Sequence, residues 1–152
     1  MPAIDLARTY FDQGFSCSQA VSAAFAAEFG LDAATMLRVA STFGGGIARS
    51  GDTCGAISGA LMVLGLKYGA TQPDPAAKER AYEHGREFIA RFRARNGAVD
   101  CRDLLGHDFA TPEGRAAIKE TKIIRTICPA LVASAVEILE EMQIASQSDG
   151  AS

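Results

Sequence analysis

The sequence predicts an all-α fold: a single-domain multi-helix bundle around one buried central helix at about residues 54–68. Three observations carry this. Apolar residues recur at helical spacing along nearly the whole chain, and no stretch keeps the alternation of a strand. Capping residues, prolines and glycines fall where helices would begin and end. The run from Ala56 to Leu66 is apolar on nearly every face, which suits a helix surrounded by others. At 152 residues the chain is long enough to bury a core without disulfide staples. The domain is expected to cover 1–145, with a frayed tail of small polar residues at 146–152.

A first helix is expected over 3–13, with Ile4, Ala7 and Phe11 on one face and Gly14 ending it. Ser16-Cys17-Ser18-Gln19 then reads as a capping box that places Cys17 at the first helical position. Val21, Ala24, Phe25 and Phe29 form the buried stripe of this second helix, and Gly30 stops it. Asp32 caps a third helix, with Met36, Leu37, Ala40 and Phe43 inward, which is expected to run up to Gly44-Gly45-Gly46. The central helix follows, with Asp52 or Thr53 as its cap and Cys54 in its first turn. Asp74-Pro75 opens a long fifth helix ending at Asn96-Gly97, with Ala81, Phe88, Ile89 and Phe92 buried. Its arginines 86, 91, 93 and 95 read as a solvated basic face, with a docking patch for an acidic partner as the alternative. Asp100 is placed to cap a short turn at 101–105, and Thr111-Pro112 opens a stretch to about Lys122. The last helix is expected to start at Cys128-Pro129, with Cys128 as N-cap and a buried stripe from Leu131 to Met142.

On this reading Cys17, Cys54, Cys101 and Cys128 each sit at the cap or first turn of a helix, where unpaired amides and the helix dipole favour a thiolate. Four such termini meeting at one point would hold four thiolates or an anionic inorganic cluster. Cys54 is the central candidate. The glycines before it allow positive φ and an anion-binding nest. Gly44, Gly45, Gly46, Arg49 and Gly55 are therefore the candidate cofactor-binding residues, with Arg49 able to hold an anion. Asp52 is read as a structural cap. Gly55 and Gly59 share a helix face on which another backbone can pack closely. The plainer alternative is that the cysteines are buried core residues. No two of them form a CxxC pair, so the spacing is unlike a zinc ribbon or a ferredoxin loop.

His107 is close in sequence to Cys101 and reads either as an outer donor to a ligand or as an ordinary loop histidine; His84 reads as solvated. Glu140-Glu141 lies on an exposed helix end and is not set up for acid–base chemistry. Nucleotide-binding loops and a serine triad are missing from the sequence. The net charge of −3 argues against general nucleic-acid binding. With no basic, apolar leader at the N-terminus and no apolar run long enough to span a bilayer, the expectation is a soluble cytoplasmic protein without membrane insertion.

Cys17, the Cys54-Gly55-Ala56-x-x-Gly59 motif, Cys101 and Cys128 resemble, in order and rough spacing, the signature of the C_GCAxxG_C_C family. The resemblance covers nearly the whole chain. It implies a small helical protein with four signature cysteines, proposed to be redox-active. Similar domains occur within some cytochromes that carry an iron–sulfur centre; this chain has no CxxCH, so c-type haem attachment is not expected. The leading expectation is that Cys17, Cys54, Cys101 and Cys128 bind an iron–sulfur cluster or another metal for electron transfer or redox sensing. The alternatives are a metal-free thiol–disulfide protein, in which the same four residues are catalytic, and a helical interaction module with structural cysteines. The implied partner is an electron donor or acceptor protein, with a homo-oligomer as a further expectation.

Overall fold

The computed structural model describes residues 1–144; the expected frayed tail lies outside them. Among the described residues there are eight α-helices and no strand: α1 (Ala3–Asp12), α2 (Cys17–Phe25), α3 (Ala33–Val39), α4 (Gly55–Tyr68), α5 (Pro75–Asn96), α6 (Cys101–Leu105), α7 (Pro112–Thr121) and α8 (Ile123–Glu141). A 3₁₀ turn at Ala26–Phe29 extends α2 to Gly30, whose left-handed φ of 72° ends it. The all-α expectation is met. None of these helices is long and apolar enough to cross a membrane.

α4 is the buried central helix expected, and α2 shares the centre of the bundle with it. α4 is buried from Gly55 to Ala60 and again at Val63 and Leu64, as its composition requires, but Leu66 is 37% exposed in its last turn. α2 is buried at every position from Ala20 to Phe25, far beyond the single stripe expected. The two helices meet along a seam of small residues. A Cβ on Gly59 would lie 2.5 Å from the Ser18 carbonyl oxygen, so no side chain fits there. Ser18 and Ser22, both fully buried, satisfy their hydroxyls on the Ala40 and Ser18 carbonyls. Polar residues on so close a contact are tolerated because each is hydrogen-bonded.

α1, α5 and α8 pack around this pair, with Phe88 and Phe92 of α5 and Ile138 and Leu139 of α8 completing the core. The caps at Ser16, Asp32, Asp74 and Thr111 form as expected. Of arginines 86, 91, 93 and 95 on α5, Arg93 is exposed with no ion pair among the described residues, while the other three find carboxylates. Arg91 and Arg95 reach across to Glu141 of α8, Arg95 also to Glu137, and Arg86 pairs with Glu79. His84 is half-buried and stacks on Tyr68 instead of standing in solvent.

One helix end and one helix start differ from expectation here. α3 ends at Val39, before the triple glycine, because the chain turns at Ala40 to enter the following loop. α8 begins six residues before Pro129, after Lys122 turns the backbone at φ 55°, and Pro129 lies inside it. A proline within a helix forfeits its N–H bond to the carbonyl four residues back, here Arg125. Coming so near the start of the helix, that loss costs one bond and does not break the element.

Candidate functional site

Each cysteine reaches the site by a different local route. Cys17 is the first residue of α2: Gln19 N–H donates to Ser16 Oγ, and Ser16 N–H donates back to Gln19 Oε1 at 2.9 Å. Cys54 is itself the N-cap of α4, at φ −53° and ψ 134°, one position earlier than expected. Asp52 is not the cap; its carboxylate faces the Arg102 guanidinium at 3.4 Å. Cys101 opens α6, but Asp100 makes no side-chain cap. The Cys101 N–H instead donates to Asp52 O at 2.6 Å, and Cys54 N–H donates to Val99 O at 2.9 Å. This reciprocal pair, with an isolated bridge between Thr53 and Asp100, laces the starts of α4 and α6 side by side. Cys128 lies in the second turn of α8, not at a cap. Three helix N-termini therefore converge, not four.

All four thiols line one cavity of about 680 Å³. None is in a disulfide; Cys54, Cys101 and Cys128 are buried and Cys17 is partly so. Every pair among the four is close enough for one thiol to influence the ionisation of another. Cys17 and Cys128 form the tightest pair. Their mutual influence, with burial, raises the Cys17 thiol well above its ordinary pKa and draws that of Cys128 down, so Cys128 is the thiol of the pair more readily ionised. Burial pushes Cys54 up to about 11, against the pull of the Ala56 and Ile57 amides. Burial also raises Cys101 to about 12, with the nearby thiols, Asp108 and Asp100 adding to it. The expected low pKa at Cys54 is thus reversed: desolvation outweighs the helix terminus. Among the described residues, no group of three or more Cys, His, Asp or Glu side chains is drawn together tightly enough for a single metal ion.

The loop that forms the cavity rim holds a feature with no signature in the sequence. Gly45, Gly46, Ile47, Ala48 and Arg49 all have left-handed φ, from 51° to 71°, and Gly51 follows at 76°. Only glycine adopts this region freely; each of the three other residues costs about 1–2 kcal/mol. The turn is held by its own backbone, with Ala48 N–H donating to Thr42 O, Arg49 N–H to Gly44 O and Asp52 N–H to Gly46 O. Amides 47–52 are therefore consumed internally and are not open to a ligand. Those of Gly44, Gly45 and Gly46 donate to no acceptor among the described residues. Gly44, Gly45, Arg49 and Gly55 line the cavity; Gly46 does not, and a Cβ there would strike Asp52 N and the Cys101 Cβ at 2.6 and 2.7 Å. His107 is not among the cavity's lining residues.

An α-helical chain with four cysteines from four separate helices on one cavity defines a class: a small helical protein carrying a buried thiol centre. The sequence pattern of the family described as "Putative redox-active protein (C_GCAxxG_C_C)" matches residues 15–142, and the chain belongs to that family. No curated protein and no solved structure matches the chain.

Proposed function

We propose that the four cysteines hold an iron–sulfur cluster and that the protein transfers electrons or senses redox state. One observation carries this reading: four thiols from helices far apart in sequence line a single cavity. The donor set fits the group, since four cysteine sulfurs line the cavity, with Asp12 the one carboxylate and no imidazole beside them. Cys17, Cys54, Cys101 and Cys128 would be the ligands. The starts of α2, α4 and α6 place positive dipole ends toward the negative charge such a centre carries. Bound there, the cluster would supply a one-electron couple. The apolar residues packed on the thiols, among them Leu105, Phe109 and Ile118, would limit water at the sulfurs. Protein purified without oxygen should be brown and contain iron and acid-labile sulfide, lost together on Cys54→Ser. A colourless protein with four titratable thiols and no sulfide overturns the reading.

A second reading draws on the pairing of Cys17 with Cys128. A pair of thiols of which one is the more readily ionised is the arrangement from which a thiolate attacks and a neighbour resolves. In that case the protein works as a metal-free dithiol. Mild oxidation should then join Cys17 to Cys128, leaving Cys54 and Cys101 reduced, as peptide mapping would report. The interaction-module reading gains nothing from thiols gathered on one cavity.

A further inference from the structure

We infer that the cavity beside the cysteines is also a binding site for a small organic anion: a carboxylate on a compact apolar body. The cavity is larger than its thiols require, and about 680 Å³ lies within the range of small-molecule sites. Its walls away from the cysteines carry an apolar part, Phe11, Phe15, Leu104 and Phe109, and a polar part, Ser16, Gln19, Ser41 and Thr42. Its charged lining residues are Arg49, Arg125 and Asp12. Neither arginine forms an ion pair among the described residues, whereas Arg86, Arg91 and Arg95 of α5 do.

Arg49 is an exposed residue at the cavity rim, and two contacts orient its side chain. Its guanidinium lies over the Phe109 ring at 5.9 Å from the centroid. Its aliphatic stem runs along the bare face of Gly45, where a Cβ would come within 2.6 Å of the Arg49 Cγ. Its own backbone is left-handed, at φ 58°. Gly44 and Gly45, whose amides donate to no acceptor among the described residues, line the same cavity as this side chain. The site therefore brings together a cation, unpaired glycine amides and aromatic surface. Charge-assisted bonds from arginine to a carboxylate are the strong member of their class, and the apolar walls fit the rest of such a molecule. A neutral apolar ligand would leave the donors unmet, and a fully polar anion would waste the aromatic walls.

This inference rests on the cavity and not on the cluster, so it is tested on the full-length protein both as purified anaerobically and after removal of any iron. Benzoate, phenylacetate and hexanoate are titrated calorimetrically, with benzamide as the uncharged control and Arg38→Gln, an exposed arginine outside the cavity, as the control variant. Binding of at least one acid, with benzamide at least tenfold weaker, supports the site. Arg49→Gln is expected to weaken that acid about tenfold, the loss that goes with one charge-assisted contact, while Arg38→Gln leaves it unchanged. A second readout guards against a folding defect: the bound acid should slow alkylation of the cysteines in the parent and in Arg38→Gln, and not in an Arg49→Gln variant of unchanged melting temperature. No binding at millimolar concentration, equal binding of benzamide, or equal weakening in both variants overturns the proposal. Loss of colour or iron bears on the cluster alone.

Discussion

Two regions of this molecule depend on glycine for opposite reasons. Along the seam between α2 and α4, Gly55 and Gly59 are ordinary helical residues whose lack of a side chain lets two backbones touch. In the loop before α4, Gly45, Gly46 and Gly51 supply left-handed backbone, and the same conformation extends over Ile47, Ala48 and Arg49, which gain nothing locally from adopting it. The seam is low in strain and wholly buried. The loop is strained, largely exposed, and rims the cysteine cavity. Strain that persists beside a cavity of reactive groups marks the loop as the functional region and the seam as the stabilising one.

The largest effect should come from the seam. Gly59→Leu forces a side chain into the Ser18 backbone, which cannot move without carrying α2. Overpacking ordinarily costs about 1–3 kcal/mol, and a clash with main chain belongs at or above the top of that range. Urea denaturation should show a loss of about 3 kcal/mol or a chain that does not fold. An unchanged midpoint would remove the close contact from the description.

The thiols extend the contrast. Cys54 stands at the buried end of the seam helix, while Cys128 belongs to α8 and pairs with the partly exposed Cys17. In reduced, metal-free protein Cys128 should be alkylated first, at a pH below that of a free thiol. Cys54, at about 11, should carry about 300-fold less thiolate at neutral pH than a free cysteine near 8.5. The sign for stability follows. Above about pH 8.5 the unfolded chain sheds its thiol protons while folded Cys54 and Cys101 keep theirs, so stability should fall as pH rises toward 11–12. Mass-spectrometric alkylation profiles and alkaline melting curves check both. Cys54 reacting before Cys128 would restore the helix terminus as the dominant influence.

Gly46 belongs to both regions, being left-handed and tightly enclosed. Gly46→Ala should cost about 2 kcal/mol, from backbone strain and from contact with Asp52 and Cys101. Because the contact is with Cys101, the variant should also shift that thiol's reactivity, whereas Gly59→Leu acts on stability first. A neutral result would mean the loop relaxes freely.

Much of this was legible in the sequence because it is local. Ser16-x-x-Gln19, Asp74-Pro75 and Thr111-Pro112 set their helix starts through bonds spanning three residues. The Gly59 contact could be read from a four-residue spacing in an apolar helix. What could not be read depends on partners distant in sequence. Cys128-Pro129 carries a valid start signal, but burial of Ile123, Ile124 and Ile127 beside Cys101 and Phe109 favours starting α8 earlier. The position of Cys54 gives its helix-terminus character but not the desolvation that overrides it. Arg91 and Arg95 look free until α8 brings Glu137 and Glu141 alongside. Ile47, Ala48 and Arg49 have no composition that announces positive φ, and their conformation is imposed by the hydrogen bonds on either side.

The smallest expected effect tests that last point most directly. Ile47 is a β-branched residue at φ 66°, where its side chain crowds its own backbone, and it is 41% exposed, so little burial offsets the strain. It does not line the cavity. Ile47→Gly removes the steric cost while adding unfolded-chain entropy of about 0.4–1 kcal/mol, so the net change should be a stabilisation of about 1 kcal/mol or less. A rise of a few degrees in melting temperature, with the order of cysteine reactivity unchanged, would show that the strain is real and that its purpose lies with Arg49 and the neighbouring glycines. Destabilisation by the same amount would mean that Ile47 contributes packing that outweighs its conformation, and the contrast between a relaxed seam and a strained loop would then have to rest on Ala48 and Arg49 alone.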